Sequence, residues 1–183
     1  MIVSMRRILA ELKLYICNHV ISHFPSTTVR MMYYRNVMRF KIGKGSYIFL
    51  NCKFDASNGL IMGENSVINA HCRIDSRGLV TIGSNVSISE SVIILTADHD
   101  MDKPDMEGRT KSVTIGDYVW IGTKALLMPN VVVGYASVIA AGAIVTKNVN
   151  DYHVVAGIPA KFIKERKRQD AFTYSASYKR LFQ

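Results

Sequence analysis

Five histidines are the side chains best suited by type to move a proton near neutral pH: His19, His23, His71, His99 and His153. His99 stands apart. It lies in Thr96-Ala97-Asp98-His99-Asp100, near the start of a 20-residue polar stretch, LTADHDMDKPDMEGRTKSVT, which holds Pro104 and Gly108 and has no hydrophobic period. Such a stretch between regular segments reads as a loop extruded from a scaffold, where functional residues concentrate. An imidazole held at its mouth can act as a general base. Two carboxylates nearby, Asp100 and Glu107, could orient the ring, and the residues alone do not choose between them. Asn69 offers an amide able to bond a hydroxyl, and His71, two residues on, reads as structural or peripheral. Cys17, Cys52 and Cys72 are odd in number and widely spaced, which argues against a disulfide framework and for a reducing compartment. Cys52 and Cys72 read as buried packing residues rather than nucleophiles. Neither His71 nor His99 has a closely spaced histidine partner, so no metal is expected.

The elements that must position these groups are repeats. From Ile115 to Asn150 an aliphatic residue recurs every six positions: Ile115, Ile121, Leu127, Val133, Ile139 and Val145. Glycine follows at 116, 122 and 134, and the residue four places on is small or β-branched throughout. Neither a helical period nor a two-residue alternation gives this pattern. A fixed short repeat means stacked coils of short strands joined by turns, with the aliphatic and small positions pointing inward. An earlier series runs Ile42, Ile48, Phe54, then Met62, Ile68, Ile74, then Ile82, Ile88, Ile94, recurring every 20 residues. The polar stretch that holds His99 is the one interruption. About five coils are expected, with Asn and Gly at corners where left-handed backbone costs least.

The hexads, together with Thr96-x-x-His99, Val119-Trp120-Ile121-Gly122, Gly142-Ala143-x-Val145-Thr146-Lys147 and Ala156-Gly157-x-Pro159-Ala160, resemble the hexapeptide-repeat acyltransferases, including sugar O-acetyltransferases of the maltose, galactoside and surface-polysaccharide type. The resemblance covers roughly residues 42 to 165. It implies a mainly β fold, a left-handed parallel β-helix. The handedness rests on the resemblance alone, since the general preference for right-handed crossovers points the other way. It further implies transfer of an acetyl group from acetyl-CoA to a sugar hydroxyl, with His99 as catalytic base, Glu107 as the preferred carboxylate orienting it, and Asn69 on the acceptor. Trp120 would pack near the acyl site. Gly122, Thr123, Ala141, Thr146, Lys147 and Lys164 would line the acetyl-CoA groove, the two lysines meeting its phosphates. Homotrimers with active sites between subunits are implied as well. After Lys147 the chain departs from the family pattern, with Asn148-Val149-Asn150-Asp151 in place of an acidic-aliphatic-proline run.

The chain has 183 residues, 49% of them hydrophobic, and a net charge of +9. That balance suits anionic partners, and no nucleic-acid motif accompanies it. Residues 2–23 read as an amphipathic helix with Ile8, Leu12, Ile16 and Val20 on one face, and a second helix is expected over residues 27–38 with Ser26 as its N-cap. These helices would cover the open end of the coils or pack on a neighbouring subunit. A second reading has Arg6, Arg7, Lys13, Arg30 and Arg35 meeting an anionic membrane surface. No transmembrane helix or signal-peptide core is apparent, which places the protein in the cytoplasm. A basic helix is expected near residues 161–168. The chain thus divides into a helical segment (1–40), a repeat domain (41–160) with an extruded loop (95–114), and a basic helix with tail (161–183). Three other functions fit the same repeats: N-acetyl transfer to an amino sugar or other amine, a non-catalytic scaffold, and a metal enzyme like the γ-class carbonic anhydrases.

Overall fold

The structure, a computed structural model, describes residues 4–169 and 171–182. Helix α1 (Met5–His19), a 3-10 turn (Ile21–His23) and helix α2 (Thr27–Asn36) precede the coils. The first coil holds β1 (Lys41–Ile42), β2 (Tyr47–Ile48) and β3 (Lys53–Phe54), and the second holds β4 (Leu60–Met62), β5 (Val67–Ile68) and β6 (Arg73–Ile74). The third holds β7 (Val80–Ile82), β8 (Ser87–Ile88) and β9 (Ile93–Ile94). A hairpin of β10 (Ala97–His99) and β11 (Gly108–Thr110) then leaves the stack. The fourth coil is β12 (Val113–Ile115), β13 (Trp120–Ile121) and β14 (Leu126–Leu127), and the fifth is β15 (Val132–Val133), β16 (Val138–Ile139) and β17 (Ile144–Val145). A sixth turn begins with the Val133–Val149 bridge and β18 (His153–Ala156), so the expected five coils are extended by most of one more.

Within the coils, strands pair in parallel with their counterparts in the neighbouring coils, which makes three sheets around a triangular section. The first sheet runs β1-β4-β7-β12-β15, the second β2-β5-β8-β13-β16-β18, and the third β3-β6-β9-β14-β17. In the second sheet Ile48, Ile68, Ile88, Ile121 and Ile139 stand in register and are fully buried. Phe54, Ile74, Ile94, Leu127 and Val145 do the same in the third. Each such side chain contributes on the order of 1.5–3 kcal/mol by burial. Cys52 and Cys72 lie in this interior, their thiols donating to the carbonyls of Asn69 and Ser89 at 3.2 Å. Burial, with the hydrogen bonding between the two, pushes the Cys52 thiol well above its ordinary range, which leaves it a packing residue.

The N-terminal helices close the first coil. Tyr34, Met38, Phe40 and Phe54 form an aromatic-rich cap, with the Phe40 and Phe54 ring centroids 4.8 Å apart. The Ser26 hydroxyl accepts from Val29 N–H at 3.5 Å, the expected cap of α2. Helix α1, however, docks through Leu14 and Cys17, with Ile21 of the 3-10 turn beside them, while Ile8, Leu12 and Val20 are exposed and Ile16 is half-buried. Three of the four residues of the stripe legible in the sequence thus face outward. Arg30 is also displaced from its expected surface role. It is fully buried, with Nη1 donating to the carbonyls of Phe24 and Pro25.

The basic helix expected near residues 161–168 is instead a strand, β19 (Lys161–Glu165), antiparallel to β18. The turn at Gly157 to Pro159 lays the chain back along β18, whose open edge supplies backbone partners. A short run containing Phe162 and Ile163 gains more from that edge than from an isolated helical turn with its costly nucleus.

Beyond β19 the chain forms a strap that runs back along the stack. Arg166 Nη1 donates to the carbonyls of Tyr118 and Ala136, both at 3.1 Å. The Phe172 ring lies against Tyr118, Tyr135 and Tyr152, a ladder on three successive coils. Ala176 N–H donates to Asn65 O at 3.0 Å, and Ala176 packs under Phe49 and Val67. Thr27 N–H then donates to Leu181 O, which joins the strap to α2.

Candidate active site

His99 ends β10, opposite Gly108 in β11. Its Nδ1 lies 2.6 Å from the carbonyl oxygen of Met106. A carbonyl only accepts, so the network assigns the proton to Nδ1 and leaves the Nε2 lone pair free for a donor. Neither carboxylate expected to orient the ring touches it. Glu107 pairs through its side chain with Lys103, and its carbonyl accepts from Asp100 N–H at 2.9 Å. The Asp100 carboxylate lies 3.2 Å from Arg109 Nη1. Both residues therefore brace the hairpin that carries His99, and the backbone of Met106 meets the imidazole itself.

The base of the hairpin is held from the coil below. Asp75 is fully buried; its Oδ2 accepts from the backbone N–H groups of Thr96 (3.1 Å) and Ala97 (3.0 Å), and Thr96 Oγ1 donates to its carbonyl. Arg77 closes a two-pronged pair on the same carboxylate, Nε to Oδ1 at 2.8 Å and Nη2 to Oδ2 at 3.0 Å. Burial alone would raise the Asp75 pKa, but these donors outweigh it and hold the group at about 2. Across the hairpin Asp98 and Arg109 pair in register, Nε to Oδ1 at 2.6 Å, which keeps the Asp98 carboxyl below its usual range. Arg77, Asp98, His99 and Arg109 line one cavity of about 300 Å³.

Asn69 lies elsewhere. It follows β5, at the edge between the second and third sheets, whereas the hairpin leaves the edge between the third and the first. Its Nδ2 donates to Ile88 O at 2.8 Å, and it lines a cavity of about 360 Å³ with Asn51, His71, Glu90 and Arg180. Further down the same edge come Gly122, Thr123 and Ala141, where Gly142 N–H donates to Thr123 O at 2.9 Å. Trp120 is 52% exposed on β13, its Nε1 donating to Ser89 Oγ at 3.2 Å. Thr146 and Lys147 are exposed on the hairpin's edge, and Lys164 is exposed on β19. One chain therefore brings Asn69, Gly122, Thr123 and Ala141 onto one edge, with Trp120 beside them, and sets His99, Thr146 and Lys147 on another. Among the described residues no group of three or more His, Cys, Asp or Glu side chains converges as metal ligands.

No family model matches the chain. Individual proteins do. It is 30% identical over 177 residues to the galactoside O-acetyltransferase of Escherichia coli (strain K12), an alignment spanning 95% of this chain and 86% of that protein. This chain belongs to the hexapeptide-repeat acetyltransferase family. A second relative is Escherichia coli WbbJ, whose name assigns it provisionally to lipopolysaccharide biosynthesis as an O-acetyl transferase; it is 29% identical over 147 residues, 73% of this chain and 75% of WbbJ. The solved structure of a galactoside acetyltransferase in complex with coenzyme A superposes with a TM-score of 0.78 at 27% identity, covering 93% of this chain and 87% of that one. The coils are those of the family's left-handed β-helix.

For an acetyltransferase of this family the lower part of the Asn69 edge has a fitting shape. A Cβ on Gly122 would lie 2.5 Å from Ala141 N, so adjacent coils meet there backbone to backbone. Thr123, Ala141 and Gly142 are exposed small residues, and nothing stands within 4 Å of a Cβ placed on Gly142. The result is a smooth track of small groups, suited to a slender extended thioester arm. Sequence reasoning passed over Asp75, Arg77 and the strap. The first two were within reach of the 20-residue period, which sets Asp75 directly under Leu95 at the foot of the hairpin. The strap has no period, and the Tyr118, Tyr135, Tyr152 spacing of 17 was its one trace.

Proposed function

We propose that this acetyltransferase moves the acetyl group of acetyl-CoA to a hydroxyl of a sugar or saccharide, with His99 as general base and no covalent enzyme intermediate. The observation that carries the reading is the Nδ1 contact with Met106 O, which leaves Nε2 as an acceptor on a residue that lines the cavity beside the hairpin. His99 takes the proton of the acceptor hydroxyl as its oxygen attacks the thioester carbonyl, and returns that proton to the departing thiolate. A thioester is already activated, so the buried Cys52 and Cys72 have no part to play. Gly122, Thr123 and Ala141 hold the thioester arm along their edge, with Trp120 beside the acyl group. Thr146, Lys147 and Lys164 meet the nucleotide end, the lysines as point charges on phosphate. Asn69 bonds the acceptor. Glu107 and Asp100 act as positioning residues through the hairpin.

Because these groups occupy two edges of the prism, we infer a homotrimer in which one copy's His99 works against the Asn69 edge of its neighbour. The acceptor is a sugar of surface-polysaccharide biosynthesis, a reading supported by the likeness to WbbJ. The enzyme works in the cytoplasm. The exposed Met5, Ile8, Leu9 and Leu12 beside Arg6 and Arg7 suit contact with a membrane surface. No helix among the described residues is long and apolar enough to cross one.

Free-thiol release from acetyl-CoA, measured over a panel of sugars and nucleotide sugars, tests the reaction. Turnover with an acceptor is expected, and His99→Ala should lower it by about 10²-fold or more. Absence of both turnover and CoA binding would overturn the reading and favour a scaffold.

A further inference from the structure

Two arginines border His99, and they are not equivalent. Arg109 is consumed within the hairpin: Nε and Nη2 pair with Asp98, and Nη1 lies 3.2 Å from Asp100. Arg77 is committed on one side only. Nε and Nη2 take the two oxygens of Asp75, and Nη1 makes no hydrogen bond among the described residues. Its partner carboxylate is fully buried and is further satisfied by three backbone N–H groups, those of Arg77, Thr96 and Ala97. The Arg77 side chain, by contrast, is 51% exposed, and the residue lines the cavity that holds His99. The Asp75 charge thus lies behind the arginine, and the carboxylate that lines the cavity in front of it, Asp98, is paired with Arg109.

A guanidinium carries five N–H groups in a planar fork. Side-on pairing with Asp75 uses two, which leaves the Nη1–Nη2 end able to grip a second anion with two parallel hydrogen bonds. The Asp75 pair also fixes the fork, so little side-chain entropy is lost on binding. We propose that Arg77 is a specificity-determining residue that reads a negatively charged group, carboxylate or phosphate, on the acceptor. The acceptor is then an acidic saccharide whose anionic group sits beside the hydroxyl that His99 deprotonates. This rests on the acyl-transfer reading above and adds the charge class of its acceptor. Arg180, at the Asn69 cavity, places a second guanidinium on the other edge of the site, with the His71–Glu90 pair beside it.

The test uses the full chain and two readouts. Acetyl transfer is measured to matched acceptors: a neutral hexoside, the corresponding uronic acid, and the hexose phosphate. Direct binding of the same three compounds is followed by ligand-observed NMR, without acetyl-CoA. Wild type is compared with Arg77→Gln and Arg77→Lys, and thermal unfolding reports whether each variant keeps its fold. Wild type should favour one charged acceptor, and Arg77→Gln should raise its KM about 10- to 100-fold more than it raises that of the neutral sugar. Arg77→Lys should recover part of that preference. The uronic acid and phosphate arms identify which anion is read. Wild-type preference for the neutral sugar, an equal loss on all three acceptors, or absence of binding by either charged compound would overturn the proposal. Charged-acceptor binding that depends on Arg77 with no transfer to any acceptor would sustain it while counting against the acyl-transfer reading.

Discussion

At the residue scale the proposed base, His99, is set by main chain. The imidazole of His99 takes its orientation from the Met106 carbonyl, a group no side-chain substitution deletes. Glu107→Ala should therefore lower kcat several-fold rather than the 10²-fold or more expected for His99→Ala, with KM for acetyl-CoA unchanged in steady-state assays. Asp75 carries the larger structural burden. Its folded pKa of about 2 lies below the ordinary carboxylate value, so its stabilising contribution is fully present above about pH 4 and is lost as pH falls toward 2. Asp75→Asn should remove that part of the acid-side loss. It should also lower stability at pH 7, since an amide cannot serve all the donors that converge there, and thermal unfolding across pH 2–7 measures both effects. As a candidate, His99 was legible in the sequence through the Thr96-x-x-His99 resemblance at the break of a strict repeat, since position alone reads as a surface histidine. The carbonyl that meets it was not, since every residue has one and only the hairpin's fold selects Met106.

At the scale of elements, the close approach of coils at Gly122 makes a sharp prediction. A Cβ there would lie 2.5 Å from Ala141 N and 2.9 Å from Ala140 C, both main-chain atoms that cannot swing aside. Gly122→Ala should cost about 1–3 kcal/mol, lowering Tm by a few degrees in a chain of this length, and should weaken CoA binding in calorimetry. The hexads announced this element with unusual clarity, because a six-residue period with a fixed inward position leaves no competing helix or hairpin. The ends of the stack were harder to read. The apolar stripe of α1 fits an ordinary amphipathic helix, yet the cap uses Leu14, Cys17 and Ile21, a face chosen by the shape of the first coil. Lys161 to Glu165 has the charge of a surface helix and becomes a strand because the β18 edge is open beside it.

At the scale of the whole molecule, the division of the proposed site residues between two edges is the ground for the proposed trimer. Sedimentation equilibrium should return a mass about three times that of the 20.5 kDa chain. Mixing His99→Ala with Asn69→Ala subunits should restore part of the activity that each loses alone. A stable monomer with full turnover would defeat the shared-site reading. The strap adds a further expectation. A chain ending at residue 169 would lack the Phe172 and Ala176 contacts and the Arg180 wall of the Asn69 cavity. It should unfold at lower temperature and show a higher acceptor KM.

The strap also changes what kind of object the stack is. An open solenoid is a line of nearest neighbours, and either end can fray without the other responding. Here one strip of chain touches Tyr152 in the sixth turn, Tyr118 in the fourth, Asn65 at the second coil and Thr27 at the cap. Damage at one terminus is thereby communicated to the far one, as a cracked barrel stave loosens when the hoop is cut. Intact protein should lose amide protection at both ends together in hydrogen exchange, whereas the shortened chain should open from its ends in separate steps.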